Sequence, residues 1–270
     1  LLVFVDFYEE VSSSVNAAAV FCVRESVYGR PVVGVVHINP NNLQLAPSVL
    51  QSFIGTLVHE MGHMMYFHTA LFKNYYTNNT KFETVTRVVD GEDQVSYKLT
   101  MPKLLAAARD HFDCDTLASV SLENDNKATS HFEKLYFGTE SMSPVNTGVT
   151  SITAMQMSLM EDSGWYKVDY NKAEFLWYGY KAGCKIFNTF CDTSLPEYCP
   201  RAGAGSCTKD YTSKTVCTAS SYTPGCVIPF YKNDQNCVRT YGLKTKSDIE
   251  TTGPDSRCFN AWNYTNEERR

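Results

Sequence analysis

Eight of the ten cysteines of this chain lie after residue 183, at Cys184, Cys191, Cys199, Cys207, Cys217, Cys226, Cys237 and Cys258. No other feature limits the fold as much. The segment that holds them is rich in Gly, Pro, Ser and Thr and has little apolar periodicity. It cannot bury much core and needs covalent staples. A Cys/His zinc ribbon is the competing reading, but there is no C-x2-C pair and no histidine after His131. Disulfides are therefore expected, and with them an oxidising compartment: an extracellular or cell-surface location. Two sequons, Asn78-Asn79-Thr80 and Asn263-Tyr264-Thr265, agree with a glycoprotein.

The rest of the 270 residues is ordinary globular material, 43% apolar and 20% charged. A net charge of −5 offers no basic surface, so nucleic acid is not an expected partner. The longest uncharged apolar runs, such as Ala17–Val23 and Val32–His37, fall far short of the roughly 20 residues of a membrane helix. Membrane association is expected only through an anchor not visible in this chain. The opening residues, LLVFVDFY, read as a buried strand without an initiator Met, so a processed or partial chain is expected.

Val3–Tyr8 and the β-branched run Val32–Ile38 predict strands. Asn39-Pro40-Asn41-Asn42 is turn chemistry, and Pro47 suits the first turn of a helix. From there Leu50, Phe53, Ile54, Leu57, Val58 and Met61 recur at helical spacing and predict one apolar face. Residues 69–100 are polar and irregular, with turn signals at Asn78, Asn79 and Asp90-Gly91, and predict an insertion with two strands. Met101–Phe112 predicts a helix starting at Pro102. Residues 150–162 predict another, ended by Gly164.

The first of these helices carries VHEMGHMMYFH, residues 58–68. His59, Glu60 and His63 fit H-E-x-x-H. Residues four apart on a helix stand one above the other, so two imidazoles can share one ion. Zinc lowers the pKa of a bound water from about 16 to about 7, and the neighbouring glutamate can then accept its proton. A catalytic zinc needs a third protein ligand. The compact spacing places it at residue 69, which is Thr69. His68 reads as a surface histidine, and His37 and His111 as structural ones. His131 is left.

At His131 the sequence resembles the leishmanolysin family of surface metalloproteases. The resemblance rests on SHFEKLYFGTESMSP and ITAMQMSLMEDSGWYKVDYNKAEFLWYGYKAGC, together with the upstream H-E-x-x-H. It implies a metzincin-type zinc site with His59, His63 and His131 as ligands and Glu60 as the general base. Met142 is then the turn methionine beneath the ligands. It also implies disulfides Cys114–Cys184 and Cys191–Cys226, and leaves the other pairings open. Where the family typically has a glycine that stops the active-site helix, this chain has Tyr66. Either a strained backbone at Tyr66 or a longer helix is expected.

The reading is an α+β, zincin-like catalytic domain in two halves around a cleft, with a disulfide-rich C-terminal segment. Residues 1–67 form the N-terminal half, 68–110 an insertion, 111–183 the C-terminal half and 184–270 the cysteine-rich segment. The expected function is that of a monomeric zinc metalloendopeptidase, one Zn2+ per chain, hydrolysing protein or peptide substrates through a zinc-bound water activated by Glu60. Val32–Ile38 is either an edge strand that pairs with extended substrate or a fully paired core strand. The competing functional class is an adhesion or binding protein on a protease-like fold with little or no activity.

Overall fold

The computed structural model describes residues 1–8, 15–43, 45, 47–75, 82–89, 92–123, 130–144, 151–208, 211–238, 252–253 and 255–259. The protein is an α+β molecule with two compact units, Leu1–Phe190 and Cys191–Arg270.

The first unit opens with a three-stranded sheet. Strands β1 (Leu2–Phe7), β2 (Ala17–Arg24) and β3 (Pro31–Ile38) lie in the order β1-β3-β2. β1 runs parallel to β3, and β2 antiparallel to it. Val32–Ile38 is therefore a central strand paired on both sides, and the edge-strand alternative is overturned. β2 has no sequence signature: AAAVFCVR starts with three alanines and does not alternate. β1 was expected to be buried, yet Leu2, Phe4, Val5 and Phe7 are 56–64% exposed. It forms the far edge of the sheet, whereas helix α1 (Pro47–Met65) packs on β2 and β3. That contact is close, since a Cβ on Gly34 of β3 would run into the Met64 thioether. The predicted apolar face of α1 is only partly used. Phe53 is buried, but Ile54 and Met61 are 42% and 38% exposed. The buried positions near the end of the helix are instead Gly62 and Met64.

A short helix α2 (Thr69–Phe72) follows, then an antiparallel hairpin, β4 (Phe82–Val89) and β5 (Glu92–Leu99). The expected insertion does contain two strands. A third short strand, β6 (Val120–Ser121), joins β5. Asn78, Asn79, Asp90 and Gly91 lie outside the described residues, as do both sequons.

Helix α3 (Pro102–Phe112) has no side-chain cap of its own, because Met101 precedes it. Its first orphan N–H groups, of Lys103 and Leu104, donate instead to the Asp162 carboxylate at 3.1 and 2.8 Å. Asp162 closes helix α5 (Ala154–Asp162), so it locks the packed pair α3–α5. α5 is capped by Thr153, and Gly164 at φ +75° turns the chain away. Between these helices, α4 (Lys134–Phe137) carries Phe137, which stacks on Phe132 and meets Phe112 edge-on. Cys114 and Cys184 are bridged, and helix α6 (Lys185–Asn188) ends the unit.

The second unit contains an antiparallel sheet of β7 (Gly205–Cys207), β8 (Ser213–Ala219) and β9 (Val227–Asn236). Disulfides Cys191–Cys226, Cys199–Cys217 and Cys207–Cys258 hold it. Both bridges implied by the family resemblance are formed. Cys22 and Cys237 are in no disulfide. Among the described residues, no helix is long and apolar enough to cross a membrane.

Candidate metal centre

The last two turns of α1 carry His59, Glu60 and His63. The helix ends in a widened turn: the N–H groups of Tyr66 and Phe67 both donate to the Gly62 carbonyl, at 3.0 and 2.8 Å. This turn brings the Phe67 carbonyl back over His63, whose Nδ1–H donates to it at 2.9 Å. Tyr66 does not have a positive φ, and α1 stops at Met65. Neither the strained backbone nor the longer helix is present. The Tyr66 ring is buried instead, 2% exposed.

His131 arrives from the other side. Its carbonyl accepts from the Glu123 N–H, and Leu122 bridges Phe132. The Phe132 N–H donates to the Met142 carbonyl at 2.9 Å. One residue earlier in the same turn, the Ser141 carbonyl accepts the Nδ1–H of His59. The turn 140–144 thus steadies His59 directly and His131 through its neighbour. Met142 is fully buried, and a Cβ on Gly62 would lie 2.5 Å from its Sδ. Glycine at that place in the motif leaves room for the thioether against the helix.

The three Nε2 atoms converge. His59 to His63 is 2.9 Å, and His131 is 3.2 Å from each. A carbonyl can only accept, so the Nδ1 atoms of His59 and His63 carry the ring protons and their Nε2 atoms present lone pairs. Burial keeps these rings neutral. His63 is pushed down to about 3, by burial first and then by His59; His59 and His131 are also lowered, burial leading in both. Facing lone pairs in a half-buried site repel each other until a cation stands between them. Tetrahedral ligands about 2.0–2.1 Å from one zinc are separated by about 3.3 Å, close to the observed spacing. The donor set fits a zinc ion with an open fourth position. Among the described residues, no other group of three or more His, Cys, Asp or Glu side chains converges in this way.

Glu60 is oriented by the sheet, with its Oε2 accepting the Ala19 N–H of β2 at 3.0 Å. Burial raises its pKa to about 7, against the lowering effect of that hydrogen bond. A carboxyl lifted toward neutrality suits a group that must first accept a proton and later donate it. The other histidines lie elsewhere. His68 caps α2, its Nδ1 accepting the Ala70 N–H at 3.1 Å, and is half-buried where a surface position was expected. His111 Nε2 donates to the Tyr178 carbonyl, and His37 faces Asp6.

A peptidase family model described as Leishmanolysin matches residues 1–258 of the 270. The chain belongs to the leishmanolysin family. Its relatives are distant. It is 24% identical over 250 residues to a leishmanolysin-like peptidase of Drosophila melanogaster, covering 74% of this chain and 37% of that one. It is 26% identical over 261 residues to a ciliated left-right organizer metallopeptidase of Danio rerio, covering 92% and 42%. It is 30% identical over 172 residues to leishmanolysin of Leishmania tropica, covering 60% and 24%. The chain spans about a third of the length of the first insect and nematode relatives it matches. Family membership makes this a metallopeptidase-type domain, and His59, His63 and His131 converge within it.

Sequence reasoning could not find Ser141, whose contribution is a backbone carbonyl, or Ala19, whose contribution is a backbone N–H on an unrecognised strand. Gly62 did leave a signal. A glycine inside a strongly helical run costs about 1 kcal/mol relative to alanine, and such a residue has a packing reason.

Proposed function

We propose that this chain is the catalytic part of a zinc-dependent metalloendopeptidase that hydrolyses peptide bonds in extracellular or cell-surface protein substrates. The observation that carries the proposal is the convergence of three half-buried imidazoles, their Nε2 atoms 2.9–3.2 Å apart around one point. His59, His63 and His131 would hold the ion, and Met142 would form the apolar floor beneath them. A bound zinc supplies Lewis acidity, acidifying a water and polarising the scissile carbonyl. Glu60 takes the proton from the attacking water and then hands it to the departing amine. The Ala19 N–H fixes the carboxylate for both transfers.

Substrate would bind at β2. That strand is an edge of its sheet, and it contains the Ala19 N–H that touches Glu60. An extended peptide added along it gains main-chain hydrogen bonds without demanding a particular sequence, and passes beside the base. The division into two catalytic halves about a cleft belongs to this reading. Four disulfides support the extracellular or surface location.

The test is zinc per chain by elemental mass spectrometry on protein purified without added metal, followed by proteolysis of an unfolded protein substrate. The parent should carry about one zinc, and His131→Ala much less. Glu60→Ala should keep zinc and fold while turnover falls by at least 10²-fold, the usual scale of general base catalysis. A folded parent without zinc overturns the proposal. A zinc-loaded parent without turnover favours the binding-protein reading.

A further inference from the structure

Behind the ligand His59 a buried chain of hydrogen bonds leads away from the site. Its first link is the Ser141 carbonyl, which accepts the His59 Nδ1–H. The Ser141 hydroxyl donates to Gln156 Oε1 at 2.6 Å. The other end of that amide, Nε2, donates to the Tyr66 hydroxyl at 2.5 Å. Both ends of the Gln156 amide are thus engaged. Its backbone is fixed as well, the N–H donating to the α5 cap Thr153 at 3.1 Å, whose own hydroxyl donates to Glu140. Tyr66, Ser141 and Gln156 are each 2–3% exposed. The chain then returns to its start. Tyr66 follows directly on α1, its hydroxyl lies 3.4 Å from where a Cβ on Gly62 would stand, and its carbonyl accepts the Tyr75 hydroxyl at 2.6 Å.

We infer that Tyr66 and Gln156 are positioning residues for the metal site: together they hold the Ser141 carbonyl where it fixes the tautomer and orientation of the ligand His59. The inference rests on the zinc reading above. Three elements meet in this circuit: the end of α1, the first turn of α5 and the turn carrying Met142. A ligand histidine's outer hydrogen bond sets its ring direction and basicity, and losing such a partner typically weakens metal binding 10- to 100-fold. Here the outer partner is a backbone carbonyl in a turn. Its position depends on what holds the turn, and the one side-chain link from the Ser141 hydroxyl runs through Gln156 to Tyr66. A tyrosine can close the circuit because its ring spans from the helix end to α5. Phenylalanine fills the same space and cannot accept the bond.

The experiment compares the full chain with Tyr66→Phe, Gln156→Met, Ser141→Ala and the Tyr66→Phe/Gln156→Met pair. The readouts are zinc affinity by chelator competition, the visible spectrum of the cobalt-substituted protein and the melting temperature of the metal-free protein. Tyr66→Phe should weaken zinc binding about 10-fold and shift the cobalt bands, with kcat lowered and KM little changed. The pair should be no worse than its worse single member, since both substitutions open one circuit. Unchanged zinc affinity and cobalt spectrum beside a lower melting temperature would assign Tyr66 a purely structural role and overturn the inference. Fully additive losses would overturn it too. Should Gln156→Met not fold, Tyr66→Phe and Ser141→Ala decide alone, because neither removes bulk from the core. A parent that takes up neither metal removes the zinc reading and this inference together. A parent that binds metal as tightly as Tyr66→Phe does removes only the inference.

Discussion

At the scale of single residues, the site is built on histidines kept neutral by burial, which sets their share of the metal-free protein's response to acid. A histidine in the unfolded chain titrates near 6.5. In the folded chain His63 is pushed down to about 3, and His59 and His131 are lowered as well. Below pH 6.5 these three histidines therefore bind more protons in the unfolded chain than in the folded one, while Glu60 and Glu140, raised by burial to about 7 and about 8, work the other way down to 4.5. Stability from the three histidines is full above 6.5 and is lost as pH falls from 6.5 toward 3. Urea unfolding of metal-free protein should show its midpoint dropping across that window, and His63→Phe should flatten the drop. An equal decline in both proteins would mean that other groups govern it. The same competition with protons should release zinc over this range. His59, Glu60 and His63 were legible in the sequence because a motif of side chains at helical spacing states its own geometry. The Ser141 carbonyl and the Ala19 N–H were not, since every residue has a backbone and only the fold says which one points at an imidazole. Tyr66 shows the opposite failure. Its residue type stands out at the end of the helix, but its partner Gln156 is 90 residues away in the chain and no local pattern joins them.

Among elements, legibility followed the strength of the period. α1, α3 and the strands β1 and β3 announce themselves by regular apolar spacing, and Pro47 and Pro102 mark two helix starts. β2 does not, because alanine carries little strand preference and its residues do not alternate. For β3 the sequence left edge and core pairing open, because a strand's own residues do not encode its partners, and the structure takes the fully paired alternative. The Asp162 link between α5 and α3 is also tertiary. It supplies by a distant carboxylate what a capping residue at Met101 would supply locally. Removing it should uncover two N–H groups at once. Asp162→Ala is expected to cost about 1–2 kcal/mol, the usual range for a lost cap, and Asp162→Asn part of that, because its single amide oxygen can still accept from one of the two N–H groups. Chemical denaturation of the three proteins checks this. A loss in Asp162→Asn as large as in Asp162→Ala would mean that α3 needs both carboxylate oxygens, and that a single acceptor does not serve as its cap. The neighbouring Lys103–Glu161 pair, 2.9 Å apart with Lys103 half-exposed, should contribute under 1 kcal/mol and confuses the comparison little.

In the whole molecule, two different devices close long loops. In residues 1–190, the proposed zinc would join α1 to a segment 68 residues further on. In residues 191–270 three disulfides span separations of 18, 35 and 51 residues. A cross-link of that size contributes about 3–4 kcal/mol in chain-entropy terms. A metal contributes according to its affinity, about 4 kcal/mol when free zinc exceeds its Kd 1,000-fold. The two contributions are alike in size but respond to opposite reagents, so they can be told apart in one protein. Hydrogen exchange by mass spectrometry should show chelation loosening the peptides around 59–67 and 130–144, with peptides from 213–219 and 227–231 unchanged. Reduction of the disulfides without denaturant should loosen the latter first. Cys114–Cys184 complicates the division, since it braces residues 1–190 covalently, and its reduction should add to the effect of chelation there. Chelation that loosened 213–231 as much as 59–67 would show that the metal sustains the whole chain. Chelation that loosened neither would leave the three histidines without an ion to hold, and the zinc proposal would fall at the scale where its structural consequence is largest.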